Sequence, residues 1–580
     1  MKKLFALLAI MVVAMGTLFA PTMAAPTADL NKLAEYFPAT APVVVSFRTD
    51  DAYIKETDDL IAKVAAQIPG MKQPDTIASQ FDKAIKEVIG SGDFNSEVRS
   101  WLGDEVSIGI YSFEGMMGRG NSDGKPPHFL AAIAITDQKA AEAFWKTALA
   151  KSPSGNYQTS TEGGFTVYTP GASSSASGIV AIGKDVIFVA GYKEDVPFKG
   201  QDKPLSDSPT FADNIKLLPE ADYNITIYTN FGDVFQQLIA AQANSSNTAM
   251  ATQAEMMKSL APLMKNFPPE ILGFTVLDER SLTVDIVVPY GNLMKDFEAA
   301  GFSMAMPDPV DPAFAANILS GSPVVFHSTN LGATLAAALK NFQVEAGMMS
   351  STTGMSSTEM QDTLNKITFA IQGLTGKDLQ KDILPAMKGN YALYLALSPA
   401  LSDVSTEADL TKQLPVDFGF LTEMSDPSIS KAIMDAAKTA LAKSKDVKIT
   451  TEKIGGADAV VITGTSAGMP FPVELVLTGN DKLFFFGTRR AAQAALTSSG
   501  GLDKDASFKE AAGYLVPSPT VIAYLASEGL KPLTKVIGLG GNERDGQQFA
   551  AFLKLLSSAS ISSTTKDNAG YARLVWTLPQ

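Results

Sequence analysis

The chain contains no cysteine. That absence removes disulfide staples, thiol nucleophiles, iron–sulfur clusters and cysteine-ligated zinc together. Histidine is almost missing as well, with His128 and His327 the only two in 580 residues. Two imidazoles and no thiolate make no ordinary structural zinc site without added carboxylates, and no H-E-x-x-H string is present. Charge is sparse, at 19% of residues, and acidic in balance, with a formal net charge of −14. A surface of that sign repels phosphate backbones, so nucleic acid is excluded as a partner, as is broad adhesion to anionic lipid. Past the first twenty residues no apolar run approaches the roughly 20 residues a bilayer requires. Stable membrane insertion of the mature chain is therefore not expected.

What is present begins with Met1-Lys2-Lys3, an apolar run from Leu4 to Phe19 and small residues up to Ala24-Ala25-Pro26. A cationic start, a short hydrophobic stretch and a small-residue cleavage zone read as a secretory signal peptide over 1–24, cut after Ala24 with Thr22 at the −3 position. Export to the periplasm or the cell surface follows, and the lack of a nearby cysteine closes the lipid-anchored route. A hydrophobic content of 46% predicts a folded, soluble chain, and 580 residues exceed one ordinary core. Without disulfides, burial has to stabilise it.

The chain also repeats itself. Pro42–Phe47 answers to Pro323–Ser328, each a strand-type run followed by a polar break, Thr49-Asp50 or Thr329-Asn330. Trp101–Ile108 answers to Met387–Tyr394, a glycine turn opening an alternating strand. Phe129–Asp137 answers to Phe418–Asp426, a strand ending in a helix cap. Both caps open amphipathic helices that end in the same string, Thr147–Ser152 and Thr439–Ser444. Hairpins with Gly163-Gly164 and Gly455-Gly456 turns follow, then tight turns at Gly183–Asp185 and Gly479–Asp481, then Ile225–Tyr228 against Val521–Tyr524.

The pattern within one copy reads β-α-β-β-α-β-β-β-β-α-β-α-β. Many hairpins and few crossovers predict an α+β fold, in two tandem copies of a mainly antiparallel sheet with helices packed on one face. The copies are expected at 25–306 and 313–580. They meet at 307–312, where Pro307, Pro309 and Pro312 stiffen a linker. Gly115–Pro127, Gly171–Gly178 and Ser350–Ser357 read as exposed loops.

The stretch Phe37-Pro38-Ala39-Thr40-Ala41-Pro42-Val43-Val44-Val45-Ser46-Phe47-Arg48-Thr49-Asp50 resembles the opening of a bacterial secreted family known as domain of unknown function 3352. Its members similarly lead through a proline–alanine–proline segment into a first strand and an aspartate-capped helix. The resemblance implies export and an envelope setting, and it brings no catalytic residues.

Motifs that could carry chemistry fail on context. Gly464-Thr465-Ser466-Ala467-Gly468 fits G-x-S-x-G, but Met469-Pro470-Phe471-Pro472 and another strand follow where a nucleophile elbow needs a helix. His327 lies in the first strand of the second copy and reads as a satisfied structural residue; His128, beside Pro126-Pro127, reads as exposed. Asn121–Gly124 and Glu543–Gly546 imitate part of a calcium loop without its acidic twelfth position and read as turns. Gly376-Lys377 and Gly538–Gly541 lack phosphate-loop or dinucleotide-binding context. No catalytic residue, metal ligand or cofactor is assigned.

Methionine remains. Twelve of 22 fall between Met250 and Met387, on two expected amphipathic helices, Thr248–Phe267 and Leu331–Gly347, and on a loop. Such residues can fill gaps in a core or loop, bind Cu(I) through their thioethers or adapt to apolar ligands, and on the last reading Met256, Met257, Met264, Met348, Met349, Met355 and Met360 are the candidate ligand or partner surface. The expected function is a non-enzymatic envelope protein binding an unknown protein or apolar small molecule. The alternative is a structural or scaffolding component of the cell surface.

Overall fold

The computed structural model describes residues 30–67, 76–89, 92–112, 128–151, 156–171, 178–220, 223–243, 258, 261, 264–278, 280–353, 357–399, 401, 404, 416–442, 444, 447–464, 473–498, 501–539 and 543–579. The expected leader, 1–24, lies outside them. The chain divides into two compact units, one running to Leu293 with Asn568–Gly570, the other covering Met294–Asp567 with Tyr571–Gln580.

Among its described residues the first unit has ten strands: β1 (Val43–Arg48), β2 (Leu102–Ile110), β3 (Phe129–Ile135), β4 (Tyr157–Glu162), β5 (Phe165–Pro170), β6 (Ile179–Ile182), β7 (Val186–Ala190), β8 (Ile225–Thr229), β9 (Glu270–Val276) and β10 (Ser281–Pro289). They pair antiparallel throughout, in the spatial order β4-β5-β6-β7-β3-β2-β1-β8-β9-β10. The second set is β11 (Val324–Thr329), β12 (Asn390–Leu397), β13 (Val416–Glu423), β14 (Val447–Ile454), β15 (Ala457–Gly464), β16 (Val473–Gly479), β17 (Leu483–Gly487), β18 (Val521–Ala526), β19 (Ser558–Lys566) and β20 (Ala569–Thr577). Its order is β14-β15-β16-β17-β13-β12-β11-β18-β19-β20, the same path shifted by ten strands.

The fold is α+β with a large antiparallel sheet. All twenty strands belong to one sheet, which corrects the expectation of a separate sheet for each copy. A repeated sequence defines the repeating unit but does not say where a sheet stops, because any edge strand offers unpaired backbone groups to a further strand. The outermost strands β4 and β14 are polar and exposed along most of their length, as edges usually are.

Helices cover both faces of the sheet, which corrects the one-face expectation. The central strands show why. In β3, Ala131, Ile133 and Ile135 enter a cluster with Phe81, Ile85, Phe144 and Trp145 of the helices Ile77–Ile89 and Gln138–Ala150. Leu130 and Ala132 point the other way, into a cluster with Leu33, Phe37, Leu205 and Phe211. The second unit sorts β17 likewise, Leu483 and Phe485 to one side, Phe484 and Phe486 to the other. A strand with both sides covered reads as a continuous apolar run, because the period of two puts buried residues at every position.

Local signals hold where the backbone requires them. Asp137 accepts from the Ala140 amide at 3.0 Å and Asp426 from the Ser428 amide at 2.8 Å, capping the two corresponding helices. The turns Gly163-Gly164 and Gly455-Gly456 have φ of +56° and +86° in both units, the left-handed pair that a two-residue hairpin needs.

Three expectations change. The first connection holds two helices instead of one, and the unit ends with an additional strand. Ser350–Ser357 is mostly helical, since one helix runs Leu331–Thr353, past the expected end at Gly347, and the next begins at Ser357. Glu543–Gly546 opens the helix Glu543–Lys554 and is no turn. The proline-rich 307–312 is docked: Val310 is buried and its amide donates to the Pro519 carbonyl at 2.8 Å, and Thr329 donates to the Asp308 carbonyl at 2.6 Å.

Candidate functional site

The helix Leu331–Thr353 leaves β11 after a break at Asn330, where φ is +57°. Its start is fixed by close approach. The Gly332 amide donates to the Met387 carbonyl at 2.9 Å, and a Cβ added at Gly332 would lie 1.7 Å from the Leu384 carbonyl oxygen. Leu331 and, from the helix Ser357–Thr375, Ile371 pack on the cluster of Ile383, Ala386, Met387 and Ile429. Farther along, the Asn341 side chain exchanges two hydrogen bonds with the Ser303 backbone, at 2.6 and 2.9 Å. The hairpin is thus held at its base and along one flank.

Between its two helices lies an apolar groove of about 560 Å³, lined by Leu335, Ala338, Leu339, Phe342, Thr363, Leu364 and Ile367. On the first helix these stand at i, i+3, i+4 and i+7, and on the second at i, i+1 and i+4, so each helix offers one stripe. Leu335, Phe342 and Ile367 remain 41%, 44% and 50% exposed. Large apolar side chains grouped in a concavity and left wet mark a binding surface more often than a core. On the sheet of the same unit, a cross-strand row passes from Phe420 through Leu393, Phe326 and Ala523 to Ile561. Phe420 is covered by the cluster beneath the hairpin, while Leu393 and Ile561 are half exposed.

Four of the seven candidate methionines fall on described residues. Met256, Met257 and Met355 lie outside the described residues. Met264 is helical, partly buried and in the first unit. Met348, Met349 and Met360 are on the hairpin helices of the second unit. The groove residues themselves were not singled out from the sequence, although their helical spacing is legible there.

Both histidines have partners. His327 is buried, with Nε2 3.1 Å from Asn390 Oδ1 and its ring stacked on Phe314 at 5.1 Å; burial holds its pKa below the usual imidazole value. His128 is 44% exposed, stacks on Tyr192 at 4.3 Å, and sets Nδ1 3.0 Å from Asp195 Oδ1. Burial raises the Asp195 pKa, against the lowering effect of the His128 hydrogen bond. Asp195 Oδ2 and the Tyr111 hydroxyl are buried with no hydrogen-bond partner among the described residues. Among those residues no three His, Asp or Glu side chains form a metal-holding group. Gly464 ends β15, which pairs antiparallel with β16, so the G-x-S-x-G string spans a hairpin whose connecting residues 465–472 lie outside the described set. No helix among the described residues is long and apolar enough to cross a membrane.

The sequence profile of one family, described as a protein of unknown function (DUF3352), matches residues 3–266 and again 317–573. The chain belongs to this family. DUF3352 matches it twice, over most of its length, and the two matches contain the two equivalent runs of strands β1–β8 and β11–β18. No curated protein and no solved structure matches the chain.

Proposed function

We propose that this DUF3352 protein is an exported, non-enzymatic binding protein of the cell envelope, and that its second unit holds an apolar small molecule in the groove between the helices Leu331–Thr353 and Ser357–Thr375. One observation carries this reading: a concavity of about 560 Å³ lined by six apolar side chains and one threonine, three of whose large residues remain near half exposed. That volume lies within the roughly 300–1,000 Å³ typical of small-molecule sites, and concavity favours a small ligand over a flat protein partner. The leader-like segment at 1–24 supports the envelope setting. Native mass spectrometry of protein purified from its own host tests the reading. A co-purifying apolar molecule, displaced when Leu339→Asp places a charge in the groove, is the expected result. A bare polypeptide mass in every preparation overturns it.

A further inference from the structure

β4 is the outermost strand of the first unit and pairs with β5 alone among the described strands. Which of its backbone groups face outward follows from the turn that ends it. Gly163-Gly164 is left-handed at both residues and joins Glu162 to Phe165, and a two-residue turn of this kind closes on a hydrogen-bonded pair. Hydrogen-bonded pairs then alternate along the ladder, so Ser160 and Gln158 also bond to β5. Two observations agree with that phase. The Gly171 amide donates to the Asn156 carbonyl at 2.6 Å, and opposite Tyr157 stands Pro170, which has no N–H to give. The amides and carbonyls of Thr159 and Thr161 therefore point away from β5, and no partner for them is present among the described residues. The edge they occupy is exposed from Gln158 to Thr161.

Such an edge is usually blunted by lysine, proline or a bulge. β14, the equivalent strand of the second unit, carries Lys448, Glu452 and Lys453. β4 has no such guard over Tyr157–Thr161, where every residue is uncharged and the six-residue register with β5 is unbroken. Its tyrosine and two threonines favour extended backbone. Across β4 and β5 together Glu162 is the one residue of formal charge, and it pairs with Lys193 at 2.6 Å. Although the chain carries a net charge of −14, a second copy approaching here meets little like-charge repulsion.

We propose that two copies of the chain pair edge to edge through β4, antiparallel about a two-fold axis at Ser160. The strand is complementary to itself in that register. Thr159 of each copy falls opposite Thr161 of the other, so all their outward amides and carbonyls find partners. Ser160 meets Ser160, and Gln158 meets Glu162, an amide donor against a carboxylate, with no like charges opposed. A two-fold axis normal to the sheet makes the contact isologous, so it closes at two copies. The pairing involves the first unit only and does not depend on the groove.

Sedimentation of the full chain over a concentration series tests it. A reversible monomer–dimer equilibrium is expected, and a weak one, because each copy contributes a single short strand. Ser160→Lys sets two ammonium groups opposite one another on the axis and should weaken dimerisation at least about ten-fold, as should Ser160→Glu. A mixture of those two variants should pair again as a heterodimer. Thr450→Lys, on the exposed β14 edge, should dimerise as wild type does. Circular dichroism like that of wild type shows that each variant is folded. The cysteine-free background lets the register be read directly. Ser160→Cys should crosslink into a dimer on oxidation faster than Thr159→Cys, whose two thiols stand two residues out of register. A chain that stays monomeric across the series overturns the proposal. So does a dimer that Ser160→Lys leaves intact, or one that crosslinks equally through both cysteines.

Discussion

The two units use equivalent helical hairpins in opposite ways. In the first, the second hairpin helix, Ile77–Ile89, drives Phe81 and Ile85 into the sheet cluster with Trp101 and Phe144, leaving them 4% and 1% exposed. In the second, the corresponding helix Ser357–Thr375 anchors through Ile371 near its end and leaves Ile367 half exposed. Strand order, caps and turns are shared, so the divergence lies where one apolar stripe is directed. The same device that completes a core in one unit makes a groove in the other. A duplicated fold can therefore leave one copy of an element open while the other keeps its packing role.

The largest test of that contrast is a pair of truncations. Ile85→Ala should cost about 2–5 kcal/mol, the range for emptying a well-packed aliphatic site. Ile367→Ala should stay within about 0.5 kcal/mol of wild type, as substitutions at exposed positions do. Urea unfolding of both variants reads the difference; equal losses would show that the second hairpin is as much a part of the core as the first. A smaller effect checks the shared features. Asp137→Ala should remove about 1 kcal/mol by leaving the first turn of Gln138–Ala150 uncapped. Asp426→Ala should act with the same sign on Pro427–Leu441. Hydrogen exchange of the two helices measures both, and protection retained by one helix alone would break the claimed equivalence.

Much of this fold is legible in the sequence because its cues are local. The Asp137 and Asp426 caps, the paired glycine turns and the strand runs each report on a few adjacent residues. Coverage of both sheet faces was partly legible, since the unbroken apolar runs Phe129–Ile135 and Val186–Ala190 leave no polar side for solvent. The extra helix of the first connection was not, because its boundary depends on packing against residues far along the chain. The groove is the instructive failure. Leu335, Ala338, Leu339 and Phe342 make a stripe identical in spacing to a core-facing one, and spacing says that a face is apolar without saying what covers it. Methionine content points to the hairpin that carries the groove and equally to Met264, which belongs to the other unit.

The finest distinction concerns how each unit ties down the segment that enters its first short 3-10 helix. In the first unit Glu105 accepts from the amides of Asn31, Lys32 and Leu33 at 3.0–3.4 Å and from the Ser107 hydroxyl at 2.8 Å, and Ser107 shares a 2.7 Å hydrogen bond with Ser46. In the second unit Asn390 occupies the strand position of Glu105, opposite Thr329 as Glu105 is opposite Arg48. Its Oδ1 accepts from the Asp311 amide at 2.8 Å, and His327 replaces Ser46. The replacement reverses the response to acid. Burial raises the Glu105 pKa above the usual carboxylate value, so its contribution is greatest in acid and falls as pH rises. Burial lowers the His327 pKa, so its contribution is complete above the unfolded value of about 6.5 and is lost as pH falls toward the folded one. Between pH 7 and pH 6 linkage limits the His327 loss to about 0.7 kcal/mol, whatever its folded value. Exchange of the β11 amides should accordingly quicken by up to about three-fold over that interval in excess of the β1 amides, after correction for intrinsic rates. His327→Gln, which keeps a polar side chain facing Asn390, should abolish the excess. An excess that survives the substitution would place the acid sensitivity elsewhere in the second unit and leave the two clamps alike.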